Sequence, residues 1–308
     1  MSDKIKKFED KAREKSEAEL SQKRLGVMKT YKLYVDGKFP RTESGRYYEL
    51  KNSEGAILAN VCLSSRKDFR DAQTAARAAT TKWAKASPYN RGQILYRMAE
   101  MLEGRSAQFV EELTSEGLTA SEARSEVEQS IDRLIYYAGW SDKYQQVFSA
   151  VNPVASSHFN FSMLEPTGVV SLIAPEETGL LGLISMIAPA IVGGNTVVVL
   201  ASYSKPLGAI TFSEVLATSD LPAGVVNILT GTRAELISHM TSHMDVNAIS
   251  YAGSEEKELK PLQENAALNV KRVSLWKNEM DWSSEESQSP YRILELQETK
   301  TTWHPVGI

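Results

Sequence analysis

The chain has 308 residues, 42% of them hydrophobic and 24% charged, which is enough for a sizeable core in one large or two small domains. A net charge of −4 and a pI near 5.8 speak against a general nucleic-acid binder. The single cysteine, Cys62, allows no intramolecular disulfide, and the longest apolar stretch is too short to span a bilayer, so the expected location is the cytoplasm, with no membrane partner.

Residues 1–29 read as a charged, solvated arm. Ile5, Phe8 and Leu20 offer little to bury, and the absence of an apolar core excludes a secretory signal. Alternation predicts strands over 31–36, 46–51 and 57–63, with turns at Gly37-Lys38 and Ser53-Glu54-Gly55, forming a small antiparallel unit. Cys62 lies in the third of these strands and reads as a small core residue. Helices are expected over 66–85, 90–103, 106–117 and 120–146. Ile94, Leu95, Met98, Ala99 and Leu102 mark one inward face, and Val127, Ile131, Leu134 and Ile135 another. Tyr136, Tyr137 and Trp140 read as core.

From residue 167 the pattern changes. Gly168 to Ile173 is continuously apolar, as in a strand buried on both faces. Strands at 197–200, 225–229, 246–251 and 270–275 then alternate with helices at 179–192, 206–218, 234–240 and 255–267. Short strand–helix alternation predicts an α/β fold: a Rossmann-like parallel sheet with flanking helices. After Leu275 the pattern stops. Residues 277–290 read as a polar surface linker, and the tail 299–308 as a terminal strand, with Pro305 suited to an edge, that pairs with a sheet elsewhere.

Several of these segments together resemble the aldehyde dehydrogenase superfamily. They are Glu165-Pro166-Thr167-Gly168-Val169-Val170, Ala188-Pro189-Ala190, Gly194-Asn195-Thr196-Val197-Val198, Leu221-Pro222-Ala223-Gly224-Val225-Val226-Asn227 and Tyr251-Ala252-Gly253-Ser254. Val35-Asp36-Gly37-Lys38, Tyr89-Asn90-Arg91-Gly92 and the ending Glu298 to Trp303 also match. The resemblance implies a cofactor-type domain over 30–276 and a small antiparallel β oligomerisation element to which 31–63 contribute. It further implies a linker, 277–298, in place of the family's catalytic domain, and an oligomerisation strand at 299–308. The expected partners are a second copy of the chain or a full-length aldehyde dehydrogenase.

Carried over residue by residue, the resemblance implies a site that has lost its chemistry. The family's nucleophilic cysteine belongs to the absent domain. Glu177, in Pro175-Glu176-Glu177, stands where the family places the asparagine that steadies the oxyanion, and a carboxylate there repels that charge. Trp276 stands where the family has the glutamate that activates water, and an indole accepts no proton. Leu200 and Tyr203 mark a strand end lacking the family's ribose-binding lysine and glutamate. Gly253 and Ser254 remain from the pyrophosphate turn, but Glu255 and Glu256 follow, and Glu258 replaces a second glycine. No catalytic residue is therefore assigned, and NAD(P) is expected to bind weakly if at all. His239 and His243 stand four apart with Asp245 nearby, short of a closed metal set, so no metal is assigned.

Three functions follow as expectations: a non-catalytic oligomer subunit, an NAD(P)-dependent oxidoreductase with altered chemistry, and a regulatory module. The last would bind a cation in a cleft made acidic by Glu176, Glu177, Glu255, Glu256 and Glu258.

Overall fold

A computed structural model describes residues 27–253, 255–276 and 280–307. Most of the expected arm, Ser254 and the first three linker positions lie outside the described residues.

The first sheet contains β1 (Thr30–Tyr31), β2 (Tyr47–Lys51) and β3 (Ile57–Cys62), with β3 central. β2 runs antiparallel to β3, whereas β1 runs parallel to it. Four helices follow: α1 (Arg66–Ala84), α2 (Pro88–Glu103), α3 (Ser106–Ser115) and α4 (Ala120–Trp140). Local chemistry fixes their starts. Ser65 with Asp68, and Thr119 with Glu122, form capping boxes at α1 and α4, while Ser87 followed by Pro88 opens α2. The helix expected to run to residue 146 stops at Trp140, and the short α5 (Tyr144–Phe148) resumes after a turn.

The centre is a five-stranded parallel sheet of β6 (Val169–Ile173), β7 (Thr196–Leu200), β8 (Val226–Leu229), β9 (Ala248–Ala252) and β10 (Arg272–Trp276), in the order β10-β9-β6-β7-β8. Helices α6 (Leu181–Val192), α7 (Leu207–Ala217), α8 (Arg233–Ser242) and α9 (Glu256–Ala267) connect the strands. Successive side chains of a strand point to opposite faces, so one run of residues feeds two cores. Val169, Ile173 and Ile249 pack with Phe69 of α1, Met240 of α8 and Leu262 of α9. Val170, Leu172 and Val199 pack with α2, α4, α6 and α7 on the other face. The first sheet docks on the β8 edge, where Tyr34 and Ile228 exchange backbone bonds of 2.9 and 2.7 Å.

A third, antiparallel sheet joins β4 (Ala150–Asn152), β5 (His158–Pro166) and β11 (Gln297–Pro305). The tail thus forms the expected strand, paired with β5 from Gln297↔Pro166 to Pro305↔His158. No strand was expected at 150–166. Residues 31–63 form their own sheet against β8, separate within the chain from the sheet that the tail joins.

The linker reading is also corrected. Trp282, Ile293 and Leu296 are buried, and a short α10 (Tyr291–Leu294) folds against α6. The indoles of Trp282 and Trp276 lie 4.9 Å apart. Arg133 of α4, itself buried, donates to Trp282 O (3.1 Å), Ser287 O (2.8 Å), Ser287 Oγ (2.9 Å), Gln288 Oε1 (3.0 Å) and Ser185 Oγ (2.5 Å). A polar composition concealed this packing because a few apolar side chains and one buried guanidinium hold the whole segment.

Candidate functional site at the carboxyl ends of the strands

Ligands of open parallel sheets bind beyond the carboxyl ends of the strands, where strand order reverses. Here the chain moves outward from β6 to β7 and β8, then crosses to β9, so the reversal falls between β6 and β9. Arg233, the first residue of α8, spans that point. Its Nη2 donates to Ala174 O just beyond β6 (2.6 Å) and to Ala252 O at the end of β9 (2.8 Å).

Two carboxylates meet the same guanidinium. Glu258 Oε2 lies 3.4 Å from Nη1 and accepts a 2.6 Å bond from Tyr251 Oη, while Glu176 Oε1 lies 3.5 Å from Nε. The Arg233 and Glu258 side chains are only 15% and 14% exposed, so their pairing offsets a real desolvation cost. Burial, followed by the hydrogen bond to Glu258, pushes the Tyr251 phenol well above its usual range and keeps it a donor. Gly253 fits because it lacks a side chain: a Cβ there would stand 2.5 Å from Tyr251 Oη and 2.6 Å from Arg233 Nη1. Its partner in the expected turn, Ser254, lies outside the described residues.

Glu176 also organises the turn after β7. It accepts from Ser202 Oγ (2.8 Å), Tyr203 N (3.0 Å) and Ser204 N (3.2 Å). The Tyr203 ring stacks on Tyr48 at 4.4 Å, and Tyr48 Oη donates to Tyr203 O at 2.8 Å. Leu200 is buried at the end of β7. Glu177 is exposed, and its carbonyl oxygen accepts from Lys205 Nζ. Trp276 is buried at the end of β10. Its Nε1 donates to Ser250 Oγ (3.0 Å), and the Arg292 guanidinium sits 3.8 Å from the ring centroid.

The five glutamates expected to share one acidic cleft do not. Glu176 and Glu258 meet through Arg233, Glu255 pairs with Lys257 at 2.5 Å, Glu256 is exposed in the first turn of α9, and Glu177 is exposed with its backbone carbonyl bonded to Lys205 Nζ. Cys62 is buried, and burial pushes its thiol upward, away from the reactive thiolate. His243 closes α8 as its C-cap, packs edge-on against Phe69 (5.6 Å) and accepts from Asp245 N (3.3 Å). Among the described residues no group of three or more His, Cys, Asp or Glu side chains gathers to hold a metal. Tyr137 is core, as expected, and contacts Ser289 O at 3.2 Å. Arg233, Tyr48 and Tyr251 had no assigned role in the sequence reading. The available signal was one cation at a strand-to-helix turn, facing glutamates on two neighbouring turns.

The aldehyde dehydrogenase family profile matches residues 40–276, from before β2 to the end of β10. The chain belongs to the aldehyde dehydrogenase family. Among curated relatives, a cytosolic 10-formyltetrahydrofolate dehydrogenase from Xenopus laevis is 31% identical over 251 residues, which is 80% of this chain and 28% of the relative. An aldehyde dehydrogenase from Davidiella tassiana is 30% identical over 247 residues, covering 79% of this chain and 49% of the relative. Among solved structures, the NAD+ complex of an aldehyde dehydrogenase from Bacillus cereus superposes with a TM-score of 0.76 at 25% identity, over 80% of this chain and 50% of that one. This aldehyde dehydrogenase family chain thus spans about half the length, or less, of the relatives it matches. Among the described residues no helix is long and apolar enough to cross a membrane.

Proposed function

We propose that this family member is a non-catalytic, cytoplasmic subunit that assembles with itself or with a full-length aldehyde dehydrogenase. The observation that carries the reading is Arg233, bonded across the crevice between β6 and β9 and paired with Glu176 and Glu258. A dinucleotide phosphate seated there would have to displace that pairing and approach two carboxylates, so the residues present do not suit NAD(P). The chemical positions agree: Glu177 offers negative charge where a donor is needed, Trp276 offers no base, and Cys62 is a buried thiol.

The third sheet supports the assembly part. In the order β11-β5-β4, one edge of β11 carries no strand among the described residues. A long unpaired edge is a template for another chain. Phe159 and Met163, on one face of β5, stand 47% and 41% exposed, and Trp303, opposite Asn160 on the other face, stands 56% exposed, so each face offers an apolar side chain for burial in an assembly.

The test is direct. The pure recombinant chain is given millimolar NAD or NADP with a panel of aldehydes, and its mass is measured alone and after co-expression with a full-length family member. No reduced cofactor, and a mass above the 34.1 kDa of one chain, are expected. Chain-dependent NAD(P)H formation, or a monomer under both conditions, would overturn the reading.

A further inference from the structure

Glu116 joins two helices that are distant in sequence. It is the C-cap of α3, and its Oε1 accepts from Leu207 N, the first N–H of α7 (2.8 Å). One helical turn earlier, Glu112 Oε1 accepts from Thr211 Oγ1 of α7 (2.8 Å) and from Tyr31 Oη of β1 (2.7 Å). The start of α7 is thus held by two carboxyl groups of α3. Each has a second oxygen, Oε2, that is buried and meets no hydrogen-bond partner among the described residues. Close packing is the reason at Glu116. Gly179, in the turn before α6, is so near that a Cβ there would stand 3.3 Å from Oε2, 3.3 Å from Lys205 O and 3.0 Å from Leu113 Cδ2.

An oxygen that solvent does not reach carries charge at a high desolvation cost, whereas a proton neutralises it and takes almost no space. Burial and the neighbouring acids together push the Glu116 carboxyl up to about 8. Those acids are Glu112 of α3 and Glu126 of α4; the phenols of Tyr31 on β1 and Tyr48 on β2 also lie within the field of Glu116. Lys205 faces it as a cation, but its ammonium is bonded to the Glu177 carbonyl oxygen. Once ionised, the group has an exit. Glu116 is only half-buried, so its carboxylate can turn out to solvent and leave Leu207 N–H without its acceptor. Directly before Leu207 runs the turn 202–206, which Glu176 holds through Ser202, Tyr203 and Ser204 and which forms one wall of the crevice. Loosening the start of α7 therefore reaches the crevice.

We propose that Glu116 is a proton-operated latch on the crevice: protonated, it clamps the start of α7 to the end of α3, and ionised, it releases that start together with the 202–206 turn. The latch works within one chain and requires neither a partner nor a dinucleotide, so it is independent of assembly.

The experiment is amide hydrogen exchange of the full chain, read by mass spectrometry on peptides covering 203–212. Parent and Glu116→Gln are compared at equal pH, so intrinsic exchange rates cancel. The variant keeps an oxygen for Leu207 N–H and cannot ionise. At pH 5 the two should exchange within about fivefold of each other, and at pH 9 the parent should exchange about thirtyfold or more faster, because ionisation then favours the released state. After correction for intrinsic rates, the parent's 203–212 peptides at pH 9 should also exchange about tenfold or more faster than peptides covering β6, which marks local release rather than global unfolding. Glu112→Gln removes one of the charges that oppose ionisation and should move the onset of fast exchange to lower pH. Three outcomes would each overturn the proposal: a parent-to-variant ratio that does not grow from pH 5 to pH 9, a 203–212 segment no faster than β6, or an onset unmoved in Glu112→Gln.

Discussion

Glu116 offers the sharpest test of the packing around the sheet. It closes α3 as its C-cap and accepts from Leu207 N at the start of α7 (2.8 Å), while Oε2 is buried with no partner. Burial raises its pKa first and most, the Leu207 N–H bond opposes it, Glu112 and Glu126 raise it further, and Lys205 lowers it. The result is a carboxyl pushed from 4.5 to about 8. The unfolded chain releases this proton near 4.5 and the native state only near 8, so the extra native stability is complete below 4.5 and is lost as pH rises to about 8. Glu116→Gln keeps an oxygen for Leu207 N–H and removes the ionisation. At about 1.4 kcal/mol per unit, discounted for relaxation and water entry, the variant should be more stable than the parent by roughly 2–4 kcal/mol at pH 9. At pH 5 the two should agree within about 1 kcal/mol, because the native carboxyl is then protonated. Urea unfolding at pH 5, 7 and 9, followed by far-UV circular dichroism, measures the difference. A gap that does not grow with pH, or a variant weaker than the parent at pH 9, would refute the account.

Other consequences follow from the same structure. Trp282→Ala removes a buried indole and should cost about 3–5 kcal/mol in urea unfolding, with faster proteolysis in the stretch 280–290. Deleting residues 297–308 removes all nine strand pairs between β11 and β5, and should reduce the sedimenting species to a monomer. Gly253→Ala places a methyl group against Tyr251 Oη and Arg233, and should cost about 1–3 kcal/mol by thermal unfolding.

The parallel sheet was legible in the sequence because strands covered on both faces read as uninterrupted apolar runs, and β6 and β7 are buried at every position. The helix starts expected at 66 and 120 coincide with the capping boxes that Ser65 and Thr119 form in the structure. β5 was not read, although Phe159, Phe161 and Met163 alternate with polar neighbours, because the strand is half exposed and its partner comes from the far end of the chain. Glu177 and Trp276 were singled out only through resemblance to a family. Neither resemblance nor periodicity could find Arg233, since its role depends on distances to Ala174, Ala252, Glu176 and Glu258 that only the folded chain defines.

The segment after β10 ties these observations together. An indole at position 276, beyond the last strand, would expose a large apolar face, and Trp282 and Arg292 cover it. Trp282 stays there because its carbonyl and that of Ser287 both accept from Arg133. Among the described residues Arg133 donates to neutral acceptors, and burial lowers its pKa. Each of the three groups answers a cost created by another. Removing Arg133 frees the 282–288 backbone, freeing that backbone uncovers Trp276, and uncovering Trp276 exposes the end of β10 next to the crevice that Arg233 closes. The burial of Trp276 and the folding of the 280–296 segment therefore depend on each other. A carboxylate placed at 276 with this segment unchanged would lose the indole packing against Trp282 and would compete with Glu295 for the Arg292 guanidinium.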